Sequence, residues 1–208
     1  MIKNIIFDWS GVICDNLLPT YKTAMLIFKE FGAPEITLEE FRDTWVQPYM
    51  LFYNKYMSDL THEEEVAAFK PAFAQAVAEY SAGAYPGVKE TLERFKQMGI
   101  KMMVLSSDPR GSILSQVEKF NLGGLFDEIV GEAHDKGHFI HDILARNQFD
   151  QKETVFIGDT PHEVEAGKKA NVKTISVTWG YKSEKALQTA GPDFIVHNLP
   201  ELESVILD

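Results

Sequence analysis

Cysteine is almost missing from this chain of 208 residues: Cys14 stands alone, so no internal disulfide can form and a reducing compartment fits. Positive charge is short as well. Lys and Arg total 20 against 31 Asp and Glu, giving a formal charge of −11 and a pI near 5.0, and no basic stripe is evident. These numbers argue against nucleic acid or an anionic membrane as a partner. No run approaches the roughly 18 apolar residues of a membrane span. The first apolar run is only strand length and lacks a small-residue cleavage site, so no signal peptide is expected. The expected location is the cytoplasm. Internal repeats and low-complexity tracts are also absent.

The composition that remains is 45% apolar and 25% charged, as in an ordinary soluble globular protein. Its length suits one large domain, or a main domain with a smaller insert. Strand-length apolar runs fall at 4–7, 101–105, 128–130, 154–157, 174–177 and 193–196. Helix-length amphipathic segments separate the later runs, the alternation of parallel strands joined by crossover helices. Pro86, then Val88, Leu92 and Phe95 on one face, then Gly99 as a stop, mark one such helix. Residues 109–120, 137–147 and 161–170 read the same way.

Residues 17–82 differ, with helical periodicity and no convincing strand. Tyr21, Met25 and Phe28, then Phe41 and Trp45, then Val66, Phe69, Phe73 and Val77 recur at three- or four-residue steps, predicting three or four packed helices. The aromatic and Met residues of 45–57 are expected in the core. The predicted architecture is an α/β, Rossmann-like three-layer core with a mainly parallel sheet, formed by residues 1–16 and 83–208. An all-helical insert occupies 17–82.

Two strand ends carry acids. Ile5-Ile6-Phe7 leads into Asp8, and Val155-Phe156-Ile157-Gly158 leads into Asp159, with Glu163 four positions further on in the first turn of a helix. In open parallel sheets, ligands bind beyond the carboxyl ends of the strands. An aspartate there, followed by Gly11 where the backbone bends closely, is a candidate nucleophile toward phosphorus. Asp8, Asp159 and Glu163 together form a hard, oxygen-rich set suited to Mg²⁺. Asp159 and Glu163 also have a purely structural reading, as acids favoured at a helix N-terminus. Ser106 and Ser107 end the strand at 101–105, where a hydroxyl and helix-start amides can cradle an anion. Lys136 lies between a strand and a helix, within reach of a phosphate. His162 beside the acids is a candidate proton carrier. His134, His138 and His141 read as one soluble helix face.

In order and spacing, strand-Asp8-x-x-Gly11, strand-Ser106, Lys136, and strand-Gly158-Asp159-x-x-x-Glu163 resemble the four motifs of the haloacid dehalogenase-like hydrolase superfamily. The likeness spans the whole chain, helical cap included, and is greatest to the phosphoglycolate phosphatase-like branch, as Trp179-Gly180-Tyr181 also suggests. The resemblance implies a Mg²⁺-dependent phosphatase acting on a small phosphorylated metabolite. Asp8 would form an aspartyl-phosphate, Ser106 and Lys136 would hold the phosphoryl group, and Asp159 would help ligate Mg²⁺.

Three positions depart from the family pattern. Ser10 stands where phosphatases of the family carry a second Asp, an acid/base whose loss typically lowers rates by about 10²- to 10⁴-fold. Its backbone carbonyl, the family's metal contact, is kept. Glu163 replaces the more usual Asp, and Gly137 rather than proline follows Lys136. Three alternatives follow. Haloacid dehalogenation would need Tyr at position 10 and no Mg²⁺. Phosphonate cleavage would draw on a cap lysine such as Lys22, Lys29 or Lys55. A phosphate- or partner-binding protein could have lost turnover with the missing acid.

Overall fold

The computed structural model describes residues 1–46 and 48–207. The chain opens with β1 (Asn4–Phe7) and β2 (Cys14–Asp15), followed by helices α1 (Leu17–Glu30), α2 (Leu38–Thr44), α3 (Met50–Tyr56) and α4 (His62–Glu79). After β3 (Gly83–Ala84) come α5 (Val88–Gln97), β4 (Lys101–Leu105), α6 (Arg110–Lys119), β5 (Glu128–Val130) and α7 (Lys136–Asn147). The chain continues with β6 (Thr154–Gly158), α8 (Pro161–Lys169), β7 (Lys173–Val177), α9 (Glu184–Ala190), β8 (Phe194–Val196) and α10 (Leu199–Leu207).

Six strands form one sheet in the order β5-β4-β1-β6-β7-β8, and every pairing within it is parallel. β1 is buried along its whole length because helices cover both faces. Its side chains alternate between two cores, as a strand's period of two requires. Ile5 and Phe7 join Val104 and Ile157 beneath Leu92 of α5, Ile113 of α6 and Leu202 of α10. Ile6 joins Met103 and Phe156 on the opposite face, beneath Ile140 of α7 and Ala166 of α8. These are the three layers expected from the alternating pattern.

The four helices between β2 and β3 have their own core. Phe28 stacks on Phe52 at 5.7 Å, and Phe41 meets Phe52 edge-on at 5.2 Å. Phe52 and Tyr53 are buried, so the aromatic stretch is core as expected; Gln47 within it lies outside the described residues. The facing of α4 differs from the periodicity reading. Val66, Phe69 and Phe73 are exposed, and the buried stripe is Ala68, Ala72 and Ala76. α4 lies along α1, whose Met25 and Phe28 already fill the space between them, so only small side chains fit opposite. The antiparallel pair β2–β3, too short to show a period, ties the two ends of this insert together through Cys14 opposite Ala84 and Asp15 opposite Gly83.

Candidate active site

β1 lies between β4 and β6, so the residues following these three strands meet at one edge. They are Asp8, Ser106 and Asp159. The sheet grows from β1 through β4 to β5 on one side and through β6, β7 and β8 on the other, and the crevice for a ligand opens at such a reversal. The acid of α8 joins them because Thr160 caps that helix. Its side chain accepts from His162 N, and Glu163 reaches back to accept from Thr160 N at 3.0 Å and from the Thr160 hydroxyl.

One carboxylate oxygen from each of Asp8, Asp159 and Glu163 lies within 4.8 Å of the other two, and all three residues are buried. Lys136, the first residue of α7 and only 4% exposed, inserts its ammonium among them, 2.9 Å from Asp8 Oδ1 and 2.8 Å from Glu163 Oε1. Asp8 Oδ1 also accepts from Trp9 N at 2.8 Å. Asp159 Oδ2 accepts from Tyr181 N at 2.6 Å, whereas Asp159 Oδ1 is buried with no hydrogen-bond donor. Glycine is required on both sides of this carboxylate. Gly11 has φ +79°, and a Cβ on Gly11 or Gly180 would collide with Asp159 Oδ2.

Burial pushes the Asp8 carboxyl up, the Lys136 ammonium pulls it down, and nearby Glu163 adds to the rise. Asp159 is driven well above the usual carboxylate range by burial and then by the charges of Glu163 and Asp8. Glu163 is the exception. Its burial is outweighed by Lys136 and by donors from His162 and Thr160, which hold it well below the usual range. Lys136 is itself raised, because Asp8 and Glu163 outweigh the desolvation that would lower it. Three buried carboxyl groups therefore surround one ammonium, two more acids than that single cation can pair. The undonated Asp159 Oδ1 within an all-oxygen set is the chemistry a hard divalent cation satisfies, so the residues present fit such an ion.

Ser106 is buried at this edge, and its Oγ accepts from Asp108 N at 3.1 Å, leaving its own proton free. Ser107 is exposed. Ser10 donates its hydroxyl proton to Asp108 Oδ2 at 2.7 Å and accepts from Asn16 Nδ2 at 2.9 Å. His162 Nδ1 is 3.6 Å from Glu163 Oε1 and 43% exposed, and the neighbouring Glu163 carboxylate raises its pKa. His138 and His141 are exposed on α7, as a soluble helix face requires, whereas His134 is exposed in the loop before that helix, because α7 begins only at Lys136. Of the cap lysines, Lys22 lies over the rings of Tyr21 and Tyr80 and Lys55 over the ring of Tyr56. Four contributors escaped the motif reading. They are Asp108, Asn16, Thr160 and Tyr181, whose hydroxyl donates to Asn16 Oδ1 at 3.0 Å and bonds Thr20 Oγ1 at 2.8 Å. Two sit inside stretches already conspicuous, Ser106-Ser107-Asp108 and Trp179-Gly180-Tyr181, but nothing local signals their contacts.

A parallel sheet with buried acids and a buried ammonium at its reversal point defines an α/β enzyme of the Rossmann-like, three-layer class. The family described as haloacid dehalogenase-like hydrolase matches residues 5–177, and the chain belongs to that family. Phosphoglycolate phosphatase 1 of Pseudomonas aeruginosa is 24% identical over 212 residues, covering 95% of this chain and 77% of the relative. Phosphoglycolate phosphatase of Vibrio parahaemolyticus is 24% identical over 220 residues, covering 99% of this chain and 96% of the relative. The fold is matched by a haloacid dehalogenase-like hydrolase from Streptococcus pneumoniae, with a TM-score of 0.82, 21% identity and 98% of each chain covered. The chain is therefore a hydrolase of the family's phosphatase branch. Among the described residues, no helix is long and apolar enough to cross a membrane.

Proposed function

We propose that this hydrolase is a Mg²⁺-dependent phosphomonoesterase that acts on a small phosphorylated metabolite, phosphoglycolate being the first candidate, through phospho-Asp8. One observation carries the reading: the carboxylates of Asp8, Asp159 and Glu163 gather within 4.8 Å, with Lys136 2.9 Å from Asp8 and Asp159 Oδ1 lacking any donor. Asp8, Asp159 and the Ser10 carbonyl would hold the cation, which when bound supplies positive charge to the transferring phosphoryl group. Both oxygens of Glu163 are already engaged, by Lys136 and by the Thr160 cap, which suits Glu163 to fixing Lys136 and completing the acidic set.

In the first step an Asp8 oxygen attacks phosphorus in line, and the bond from phosphorus to the leaving alcohol breaks with its electron pair on the alcohol oxygen. Lys136 and the free Ser106 proton stabilise charge on the phosphoryl oxygens, the dominant need in phosphoryl transfer. Ser10 and Asp108, joined at 2.7 Å, bring a hydroxyl proton and a carboxylate to the place where the family carries its acid. In the second step water attacks phosphorus, and the bond to Asp8 breaks with its pair on the carboxylate. The helical insert acts as a cap: Arg42 of α2 donates to Thr178 O and Lys182 O, both at 2.9 Å, holding α2 over the strand ends.

A panel of phosphomonoesters, phosphonates and haloacids, assayed with Mg²⁺ and with EDTA, tests this. Phosphate release that EDTA stops and Asp8→Asn abolishes is the expected result. Chelator-insensitive halide release would overturn it, and so would phosphate release that survives Asp8→Asn.

A further inference from the structure

Asn16 occupies the N-cap of α1, where a side-chain oxygen ordinarily accepts from the amides of the first turn. It makes no such bond. Its Nδ2 donates instead to Ser10 Oγ at 2.9 Å, and its Oδ1 lies 3.0 Å from Tyr181 Oη. The helix forgoes its cap, and both ends of one amide are turned toward the strand ends. A local preference given up in this way marks a side chain held for another purpose.

The proton directions follow from the groups themselves. Asp108 Oδ2 is a carboxylate oxygen, so its 2.7 Å contact requires Ser10 to donate. Ser10 has one hydroxyl proton and can therefore only accept from Asn16, which fixes Nδ2 toward Ser10 and Oδ1 toward Tyr181. An amide oxygen cannot donate, so the Tyr181 hydroxyl must. Thr20 Oγ1, 2.8 Å from Tyr181 Oη, has the carbonyl Asn16 O as a further acceptor at 2.8 Å, so the run of compulsory donors begins at Tyr181. Tyr181, Asn16, Ser10 and Asp108 thus form one line of hydrogen bonds with every donor aimed at the Asp108 carboxylate, and members of such a line strengthen one another. They come from four places in the chain: after β7, at the start of the insert, after β1 and after β4.

Tyr181 has other duties that leave this hydroxyl aside. Its ring is buried 6.1 Å from that of Trp45, and its backbone N–H donates to Asp159 Oδ2. We infer that Tyr181 and Asn16 are positioning residues: the Tyr181 hydroxyl fixes the Asn16 amide, the amide commits the Ser10 proton to Asp108, and the Asp108 carboxylate is thereby held beside position 10. The inference rests on the phosphatase reading and deepens it. Both residues act through Ser10 and Asp108.

Tyr181→Phe keeps the ring and the backbone N–H and removes the hydroxyl alone. On the full chain with Mg²⁺ and phosphoglycolate it is expected to lower kcat about tenfold, the worth of one good hydrogen bond, with KM unchanged to within about twofold. In a double-mutant cycle the same change made in Asp108→Asn should cost nothing further, because no carboxylate is left for the line to hold. Additive losses would reduce Tyr181 to a packing residue and overturn the inference, and so would wild-type kcat in either single variant. Asn16→Asp is the second variant. It offers acceptors only and so competes with Asp108 for the Ser10 proton, while an acid at the N-cap should keep or raise the melting temperature. A lower kcat without a lower melting temperature supports positioning, and wild-type kcat sinks it. If wild type releases no phosphate from any ester, the phosphatase reading fails, and crystal structures of wild type and Tyr181→Phe still decide the positioning. Ser10 and Asp108 parting when the hydroxyl is lost supports it, and an unmoved pair overturns it.

Discussion

Ser10 has its hydroxyl bonded to two partners, donating to Asp108 and accepting from Asn16. That arrangement returns a carboxylate to the neighbourhood from which position 10 has lost one, displaced by the length of a hydrogen bond. Asp108→Asn is therefore expected to lower phosphate release about a hundredfold or more, the lower reach of a lost acid/base. Adding Ser10→Asp to Asp108→Asn restores one carboxylate to the pair and should recover turnover. Steady-state kcat for the two variants checks this, and wild-type rates in Asp108→Asn would exclude Asp108 from the chemistry. Sequence pattern alone exposed the departure at Ser10. It could not expose the partner, because Asp108 is 98 positions away and meets Ser10 only when β1 and β4 pair.

Helix α4 shows how an element's period can be read correctly and its facing wrongly. Apolar residues recur on two of its stripes, and the smaller one is buried. Phe69 and Phe73 stack on each other at 5.4 Å in solvent. Replacing both with Ser should change stability by less than about 0.5 kcal/mol per site, whereas Phe52→Ala in the insert's core should cost about 3–5 kcal/mol; urea melts of the variants would show the contrast. At the sheet, Asp127 ties β4 to the approach of β5. It accepts from Met102 N at 3.0 Å and from Lys101 Nζ at 2.8 Å. Partial burial pushes its carboxyl up, but these donors hold it below the usual value. A depressed folded pKa gives stability that is whole above the unfolded value of about 3.9 and disappears as pH falls through the folded one. The side chain is 39% exposed, so solvent screening keeps the effect near 1 kcal/mol. Asp127→Asn should melt below wild type at pH 7, and the gap should close as pH drops from about 5 toward 3.

Across the molecule, the excess of buried acids over cations at the site sets the balance between metal-free and metal-bound stability. Asp159 is buried, repelled by Asp8 and Glu163, and offers an oxygen with no donor. Mg²⁺ at a hundredfold excess over its Kd is expected to add about 2.7 kcal/mol to the folded state. Asp159→Asn should abolish that gain while raising the melting temperature measured in EDTA, since it removes one of three clustered buried acids. A metal-induced shift that persists in Asp159→Asn would place the ion elsewhere. Much of this plan lies in the linear order of residues. Apolar runs of strand length bounded by turn residues determine the sheet, and a strand that is buried on both faces can project a functional side chain only from its end. Asp8, Ser106 and Asp159 are therefore legible where they stand, as is a helical insert marked by a switch from strand to helical periodicity. Tertiary structure alone decided what those side chains meet. It buried Lys136 between Asp8 and Glu163, turned the alanines of α4 inward, and brought Tyr181, Asp108 and Arg42 of α2 to the strand ends. Contacts between groups far apart in sequence depend on strand order and helix facing, which are properties of the packed molecule and leave no local pattern in the chain.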